Sequence, residues 1–253
     1  MKHAPPAPPE LGTMDGLSYA LFLPKGDPGA GVVILHGAGS AKESHFDFAR
    51  GCREDGIAAL AFDARGHGRS EDAFGPGALD DVHAMVELLR AYAPRVALRG
   101  SSMGGFEAIH AAAHDHSLCA VVAVCPAPER SLLRMLRSDE PLRFACDVPA
   151  TEEWLESLDL IDTVRRLGPS TALLLLHAVG DEQIPYTASE ALYAAAHEPK
   201  RLLILPGGHH RSIQHDPDLQ AVSRRFILEA AERAASGPPM TDGSSEPAER
   251  GDP

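Results

Sequence analysis

The sequence predicts an α/β fold in which a mostly parallel sheet is covered by helices on both faces. Apolar runs of about five to eight residues, the length of one strand, alternate with segments of helical period from residue 32 onward. The runs are almost continuously apolar, which is typical of parallel strands that are buried on both faces. With 253 residues, the chain is long enough to form one such domain with a sizeable core.

The elements are predicted in the following order. A Pro-rich arm at 1–9 precedes a single domain at 10–235, and Asp15-Gly16 predicts an early hairpin because this dipeptide favours a tight turn. Strands are predicted at the apolar runs 17–23, 32–36, 57–62, 96–98, 118–124, 172–177 and 202–205. Helices are predicted at 79–92, 103–114, 187–196 and 218–235. Residues 236–253 are rich in Gly, Pro and Ser, and this composition predicts a disordered tail.

The interval 126–170 interrupts the alternation of strands and helices. It is longer than an ordinary connection, and it contains several large apolar side chains. Two interpretations are open, a pair of crossover helices or a small lid over a pocket.

Charge and composition exclude several classes of function. The net charge of −13 argues against nucleic acids and anionic membranes as partners, because both attract basic surfaces. The four cysteines form no CxxC pair, and a disulfide framework is not expected in a chain of this length. No segment resembles a signal peptide or reaches the roughly 18–20 apolar residues that span a bilayer. We therefore expect a soluble cytoplasmic protein; the oligomeric state cannot be derived from the sequence.

The strongest chemical signal is the G-x-S-x-G motif at residues 100–104, between a predicted strand and a predicted helix. A serine on a sharp strand-to-helix turn exposes its hydroxyl, and small neighbours relieve the crowding of such a turn. Ser102 lies at the centre of the motif and is the predicted nucleophile, whereas the adjacent Ser101 is not central. The helix that follows adds free N–H groups near the reacting atom.

A second glycine-containing loop, His-Gly-Ala-Gly at 36–39, follows the apolar run 32–36. The backbone N–H groups of Ala38 and of Met103 are the predicted oxyanion donors. A dinucleotide-binding loop is the rival interpretation, but the third glycine of G-x-G-x-x-G is replaced by Lys42. The sequence also lacks the nucleotide phosphate-binding motif G-x-x-x-x-G-K-[ST].

A serine hydroxyl needs a base, and the base needs a carboxylate that holds its tautomer. Asp181 and His209 each follow a predicted strand, at the edge of the sheet where α/β proteins build their sites. The chain order of serine, aspartate and histidine is the one expected for this type of turn. Glu182 and His210 are the alternatives to these two residues.

Other polar residues are interpreted as structural. The segment Asp-Ala-Arg-Gly-His-Gly-Arg-Ser at 63–70 is predicted to be a loop held by internal hydrogen bonds, so His67 is not assigned a catalytic role. Among His110, His114 and His116, the first two could share a helix face as zinc ligands do, but there is no H-E-x-x-H arrangement and no identified third ligand. No metal or organic cofactor is expected.

Together, the motifs LHGAG, DARGHGRS, GSSMGG, GDEQIP and LPGGHH resemble those of the α/β-hydrolase superfamily over roughly residues 15–235. The set looks most like the small serine esterases and dienelactone-hydrolase-like members. The resemblance implies an eight-stranded, mostly parallel sheet and hydrolysis through an acyl-enzyme. A serine at the nucleophile position argues against the members of the superfamily that use aspartate or cysteine.

The expected function is cleavage of a small carboxylic ester by a Ser102–His209–Asp181 triad. A thioesterase or an acyltransferase would use the same triad with another substrate or acceptor. A ligand-binding protein without catalytic activity is a further alternative, which filled triad positions disfavour. The acyl and alcohol groups of the substrate do not follow from the fold.

Overall fold

The structure is a computed structural model that describes residues 7–236. Its strands are β1 Glu10–Met14, β2 Leu17–Phe22, β3 Ala30–Leu35, β4 Ile57–Phe62, β5 Val96–Ser101, β6 Ala120–Val124, β7 Ala172–Ala178 and β8 Lys200–Leu205. Its α-helices are α1 Phe46–Glu54, α2 Ala78–Arg90, α3 Met103–His114, α4 Glu129–Leu136, α5 Val148–Glu156, α6 Leu160–Val164, α7 Thr187–Ala195 and α8 Pro217–Ser236. Short 3-10 helices lie at Lys42–His45 and Ile213–His215.

The eight strands form one sheet in the order β1-β2-β4-β3-β5-β6-β7-β8. β2 is antiparallel to both of its neighbours, and every other neighbouring pair is parallel. The predicted hairpin joins β1 and β2, with Asp15 and Gly16 both at positive φ in the turn. The predicted fold class, a mostly parallel sheet of eight strands, is therefore confirmed.

Alternation along the central strands divides the core into two layers. Val32 and Ile34 of β3 pack on one face with side chains of α1 and α8. Val33 and Leu35 point to the other face, where α2, α3 and α7 pack. Both faces of β3 are fully buried, as the continuous apolar run predicts. Helix α1 was not among the predicted helices, and its sequence FDFARGCRE is mostly polar.

The interval 126–170 forms three short helices, α4, α5 and α6. The segment between α4 and α5 is attached to the loop after β4, because Ala145 N donates to Gly66 O and Phe74 N donates to Ala145 O, both at 2.9 Å. Trp154 of α5 packs edge-on against Phe74 and Phe106. The interval thus contains three helices where one interpretation expected a pair, and residues of its first part line the cavity that Ser102 also lines.

The predicted Pro-rich arm and the predicted disordered tail fall mostly on residues 1–6 and 237–253. These residues lie outside the part of the chain that the structure describes. The domain limits 10–235 stay a prediction. None of the helices within residues 7–236 is long and apolar enough to cross a bilayer.

Candidate active site

Ser102 occupies the sharp turn between β5 and α3, where its φ is 55°. Few residues other than glycine adopt this conformation, so the surrounding contacts must hold it. The Ser102 N–H donates to Val124 O at 2.9 Å, and its carbonyl accepts from the amides of Gly105, Phe106 and Ala127. The turn is fixed on both sides by hydrogen bonds to the backbone of β6, α3 and the segment after β6.

The two glycines of the motif are required by close backbone approach. A side chain at Gly100 would clash with the carbonyl of Gly104. A Cβ at Gly104 would lie 2.5 Å from Leu35 O and 2.7 Å from His36 O. The pattern G-x-S-x-G is therefore the consequence of packing the turn against itself and against the end of β3.

The loop after β3 lies beside Ser102. A Cβ on Gly37 would come within 3.3 Å of Ser102 Cβ. His36 Nε2 accepts from Ala64 N–H at 3.0 Å, so Nδ1 carries the ring proton and donates to Gly37 O at 2.9 Å. Burial lowers the pKa of His36, which favours this neutral form. Because the Gly37 carbonyl turns towards His36, the N–H of Ala38 in the same peptide plane points the other way.

The same loop is attached to the segment after β4 by a buried ion pair. Lys42 Nζ donates to Asp63 Oδ2 at 2.6 Å, and the amides of Lys42 and Arg69 also donate to this carboxylate. Burial alone would raise the pKa of Asp63, but the hydrogen bonds from Lys42 and Arg69 outweigh it and the pKa is lowered. Ser70 Oγ donates to Asp63 O at 2.6 Å, so the loop at 63–70 is held internally, as predicted.

Asp181 follows β7, and its carboxylate accepts hydrogen bonds from two directions. Oδ1 accepts from the amides of Gln183 at 2.9 Å and Ile184 at 2.8 Å. Oδ2 lies 2.7 Å from His210 Nδ1 and 3.3 Å from His177 Nε2. Burial would raise the pKa of Asp181, but the hydrogen bonds from His177, His210 and the two amides outweigh it and place the pKa far below the usual range. The carboxylate is therefore ionised and acts only as an acceptor.

The structure corrects the predicted histidine by one position. His210 is buried and bonds Asp181, and its N–H also donates to Glu182 Oε2 at 3.1 Å. His209 is exposed, and its backbone forms a small turn with Ser212. The prediction that His209 pairs with Asp181 is wrong, because the side chain of His210, and not that of His209, points from the loop towards β7. Glu182, the alternative acid, contacts the backbone of His210 and not its ring.

Ser102 and His210 line the same cavity, which has a volume of about 810 Å³. Ala38 lines it too, whereas Met103, the other predicted oxyanion donor, is buried at the start of α3. The amide of Met103 has no acceptor within its own helix at this position. Within residues 7–236, the hydrogen bonds include none between Ser102 Oγ and the His210 ring. The structure thus joins acid and histidine directly, and brings serine and histidine to one cavity.

The overall fold resembles that of several solved structures. Est1E from Butyrivibrio proteoclasticus, in a complex with ferulic acid, superposes with a TM-score of 0.71 at 22% identity, covering 88% of this chain and 100% of that chain. A structure of the metagenome-derived lipolytic enzymes LipS and LipT gives a TM-score of 0.69 at 19% identity, with 88% and 100% covered. The chain has the α/β-hydrolase fold. The resemblance that the motifs predict is confirmed at this level.

Sequence comparisons agree with the α/β-hydrolase fold. A family model described as "Serine aminopeptidase, S33" matches residues 26–136, which include the loop after β3 and the nucleophile turn. YfhR from Salmonella typhimurium, an uncharacterized protein, is 28% identical over 192 residues, which are 72% of this chain and 64% of that protein. An uncharacterized protein of Mycobacterium tuberculosis is 29% identical over 235 residues, 87% of this chain and 76% of its own. The chain spans less than two thirds of the length of YfhR.

The sequence did not predict a buried polar network behind the turn that contains Ser102. Ser101 Oγ donates to Gln214 Oε1 at 2.8 Å, and Arg99 Nη2 donates to Gln214 O at 3.1 Å. The guanidinium of Arg99 also lies over the Phe48 ring at 4.1 Å, and burial lowers its pKa to about 10. Gln214 follows His210 in the same loop. The network therefore connects β5, which directly precedes Ser102, to the segment that contains His210 and Gln214.

His177, at the end of β7, is a second residue that the sequence did not predict at the site. Its Nε2 donates to Ile184 O at 3.0 Å and lies beside Asp181, and its Nδ1 accepts from Ser189 Oγ at 2.7 Å. The ring is fully buried. The signal that could have revealed it is a polar side chain inside an apolar run, four residues before the predicted acid.

The histidines considered as zinc ligands have other partners. His110 is buried between Thr163 and Glu129, and His114 Nδ1 bonds to the carbonyl of His110. Among the residues that the structure describes, Cys125, Asp181 and His210 are the group whose ligand atoms converge, within 4.8 Å of one another. Two of these atoms, Asp181 Oδ2 and His210 Nδ1, already bond to each other at 2.7 Å.

Proposed function

We propose that this protein is a serine hydrolase that cleaves carboxylic esters through an acyl-enzyme intermediate. The observation that carries the proposal is the 2.7 Å hydrogen bond between Asp181 Oδ2 and His210 Nδ1, at the cavity that Ser102 also lines. The fold and the names of the esterases and lipolytic enzymes that resemble it support the proposal.

The protonation states follow from the contacts of Asp181. Because its carboxylate is ionised and can only accept, His210 Nδ1 carries the proton of the neutral ring. His210 Nε2 therefore has a free lone pair, which is the state that a general base requires. When Nε2 takes the proton of Ser102, the Asp181 carboxylate stabilises the resulting imidazolium.

The reaction then proceeds in two halves. Ser102 Oγ attacks the ester carbonyl carbon while His210 takes its proton, and the N–H groups of Ala38 and Met103 stabilise the oxyanion. His210 returns the proton to the leaving alkoxide as the C–O bond breaks, which releases the alcohol and leaves the acyl-enzyme. Water, deprotonated by His210, attacks the acyl carbon, and the acid leaves as Ser102 regains its proton.

A fluorophosphonate probe tests the nucleophile, because it reacts with serines that have an activated hydroxyl. We expect one adduct, on Ser102, in the wild type. Ser102→Ala should lose the adduct and reduce kcat/KM for 4-nitrophenyl acetate by about 10³-fold or more. Ser101→Ala is the matched control; its hydroxyl bonds Gln214, and its variant should keep the label.

Two outcomes would contradict the proposal. One is a folded wild type that does not label, and the other is a Ser102→Ala variant that keeps both label and activity. A series of O-esters and S-esters with equal acyl groups assigns the leaving group. Faster turnover of the S-esters would replace ester hydrolysis by thioester hydrolysis on the same triad.

A further inference from the structure

The cavity that Ser102 lines is cationic, although the chain as a whole carries a net charge of −13. Three arginines, Arg134, Arg143 and Arg211, line it, and Glu140 is the single carboxylate among the lining residues. This balance is the opposite of the balance over the whole sequence, which has 36 acidic and 23 basic residues.

The three arginines come from different segments that surround the cavity. Arg134 lies on α4, one turn after Ser131, whose buried hydroxyl has no hydrogen-bond partner among residues 7–236. Arg143 lies over the loop after β3, since a Cβ on Gly39 would be 3.3 Å from Arg143 Cβ. Arg211 directly follows His210.

None of the three guanidinium groups has a partner in the part of the chain that the structure describes. The salt bridges of residues 7–236 do not include these arginines, nor do the hydrogen bonds of their side chains. Arg137, between Arg134 and Arg143 in the sequence, differs because it pairs with Glu152 and Glu156. The guanidinium groups at the cavity are therefore free to bind an anion.

A second groove on the same molecule has the opposite balance of charge, so the positively charged lining is specific to the Ser102 cavity. The groove lies between α4, α5, α6 and α7 and has a volume of about 630 Å³. Three carboxylates line it, from Glu129, Glu156 and Asp159, with Arg130 as the single cation. Arg130 and Arg134 are one turn apart on α4 and line different sites.

We propose that the ester substrate carries an anionic oxygen group, a carboxylate or a phosphate, which Arg134, Arg143 and Arg211 bind. This inference rests on the proposed ester hydrolysis and names the class of its substrate. A guanidinium donates paired hydrogen bonds that match the oxygens of both groups, and a cavity lined by one sign of charge concentrates the opposite ion. The other polar residues of the lining are serines, Gln183, Gln214, His210 and His215, so the three arginines are its permanently charged cations.

Matched ester pairs test the charge directly. Phenyl hydrogen succinate has its carboxylate on the acyl side, and methyl phenyl succinate is its neutral counterpart. 4-Acetoxybenzoate and its methyl ester form a second pair, in which the carboxylate or its neutral counterpart lies on the leaving group. In 4-acetoxyphenyl phosphate, a phosphate on the leaving group replaces this carboxylate. We expect at least one anionic ester to exceed its neutral counterpart in kcat/KM by about 10-fold. The ratio should fall as NaCl is raised from roughly 0.05 to 0.5 M, because salt screens exposed charges.

Variants assign the effect to the arginines. Arg134→Gln/Arg143→Gln/Arg211→Gln should bring the ratio of anionic to neutral ester close to about 1. The neutral ester of each pair is the internal reference for this ratio, so a general loss of activity in the variant does not change it. Arg130→Gln removes the same charge from α4 at the other groove, and it should keep the wild-type ratio.

The outcomes separate this inference from the proposed function. Equal turnover of charged and neutral esters by an enzyme that labels at Ser102 would overturn the anionic substrate and leave the hydrolase intact. A triple variant that keeps the preference, or an Arg130→Gln variant that loses it, would overturn the role of these arginines. Absence of both label and turnover on every ester would instead contradict the hydrolase itself.

Discussion

The nucleophile turn at residues 100–104 and the histidine loop between β8 and α8 form the two halves of the candidate triad in different ways. The turn is buried apart from the partly exposed Ser102, and its backbone is bound to β6, α3 and the segment after β6. In the loop, four exposed residues, 206–209, precede His210. Local packing therefore specifies the position of the serine. The histidine is selected by a hydrogen bond to Asp181, 29 residues away in the sequence.

The strongest test of the comparison between turn and loop replaces each of the two neighbouring histidines by alanine, one at a time. His210→Ala should reduce kcat/KM by about 10³–10⁴-fold, because it removes the base and leaves only binding and the oxyanion donors. His209→Ala should stay within about threefold of the wild type, since the His209 side chain is exposed and makes no contact with Asp181. Steady-state turnover of a chromogenic ester provides the measurement.

Circular dichroism of both variants controls for folding, as each removes one imidazole from the same loop. A loss of activity in His209→Ala alone would show that the loop rearranges in solution and that the exposed histidine is the base. Equal losses in both variants would mean that the loop acts as a unit, and the distinction between the two residues would fail.

Glycine substitutions compare the rigidity of the two halves. Gly100→Ala introduces a Cβ that clashes with the carbonyl of Gly104, so it should destabilise the fold by about 3 kcal/mol and abolish labelling of Ser102. Gly207→Ala, in the histidine loop, meets nothing within 4 Å and should change stability by less than about 1 kcal/mol. Urea unfolding at neutral pH gives both free energies. Similar losses in the two variants would show that the loop is packed as tightly as the turn.

These contrasts explain which parts of the site the sequence could predict. Ser102 and its two glycines form a local motif, because the steric reason for each glycine lies in the turn itself and in the strand beside it. The hairpin at Asp15-Gly16 was predictable for the same reason. Asp181 follows a predicted strand directly, so its position at the sheet edge needed only the topology.

The features that escaped prediction depend on contacts between distant segments. Nothing in the dipeptide His209-His210 indicates which ring faces β7; the path of the loop beyond β8 decides it. Arg99 lies in β5, and nothing in the sequence around it indicates its hydrogen bond to the distant Gln214. Helix α1 buries Phe48, Ala49 and Cys52, which have helical spacing but cover little more than one turn, too short a stripe to predict a helix.

A buried histidine beside His36, in contact with the loop after β3, extends the comparison to the dependence of stability on pH. His67 is 2% exposed, stacks on Phe144 and bonds the carbonyl of Arg65 through Nδ1. Burial, together with the neighbouring His36 ring, lowers its pKa to about 4. In the unfolded chain a histidine takes up its proton near roughly pH 6.5. Between these values the unfolded state binds more protons, so stability falls as the pH decreases.

His67→Phe keeps a ring that can stack on Phe144 and removes the titrating group. Between pH 7.5 and 5.5, the free energy of unfolding of the wild type should fall by about 1 kcal/mol more than that of the variant. Urea unfolding at the two pH values measures this difference, and each protein serves as its own reference at pH 7.5. Parallel losses would mean that His67 becomes protonated in the folded state as readily as in the unfolded chain. The region of the turn at residues 100–104 would then be more open to water than its buried side chains indicate. The contrast between a rigid turn and an exposed histidine loop would weaken.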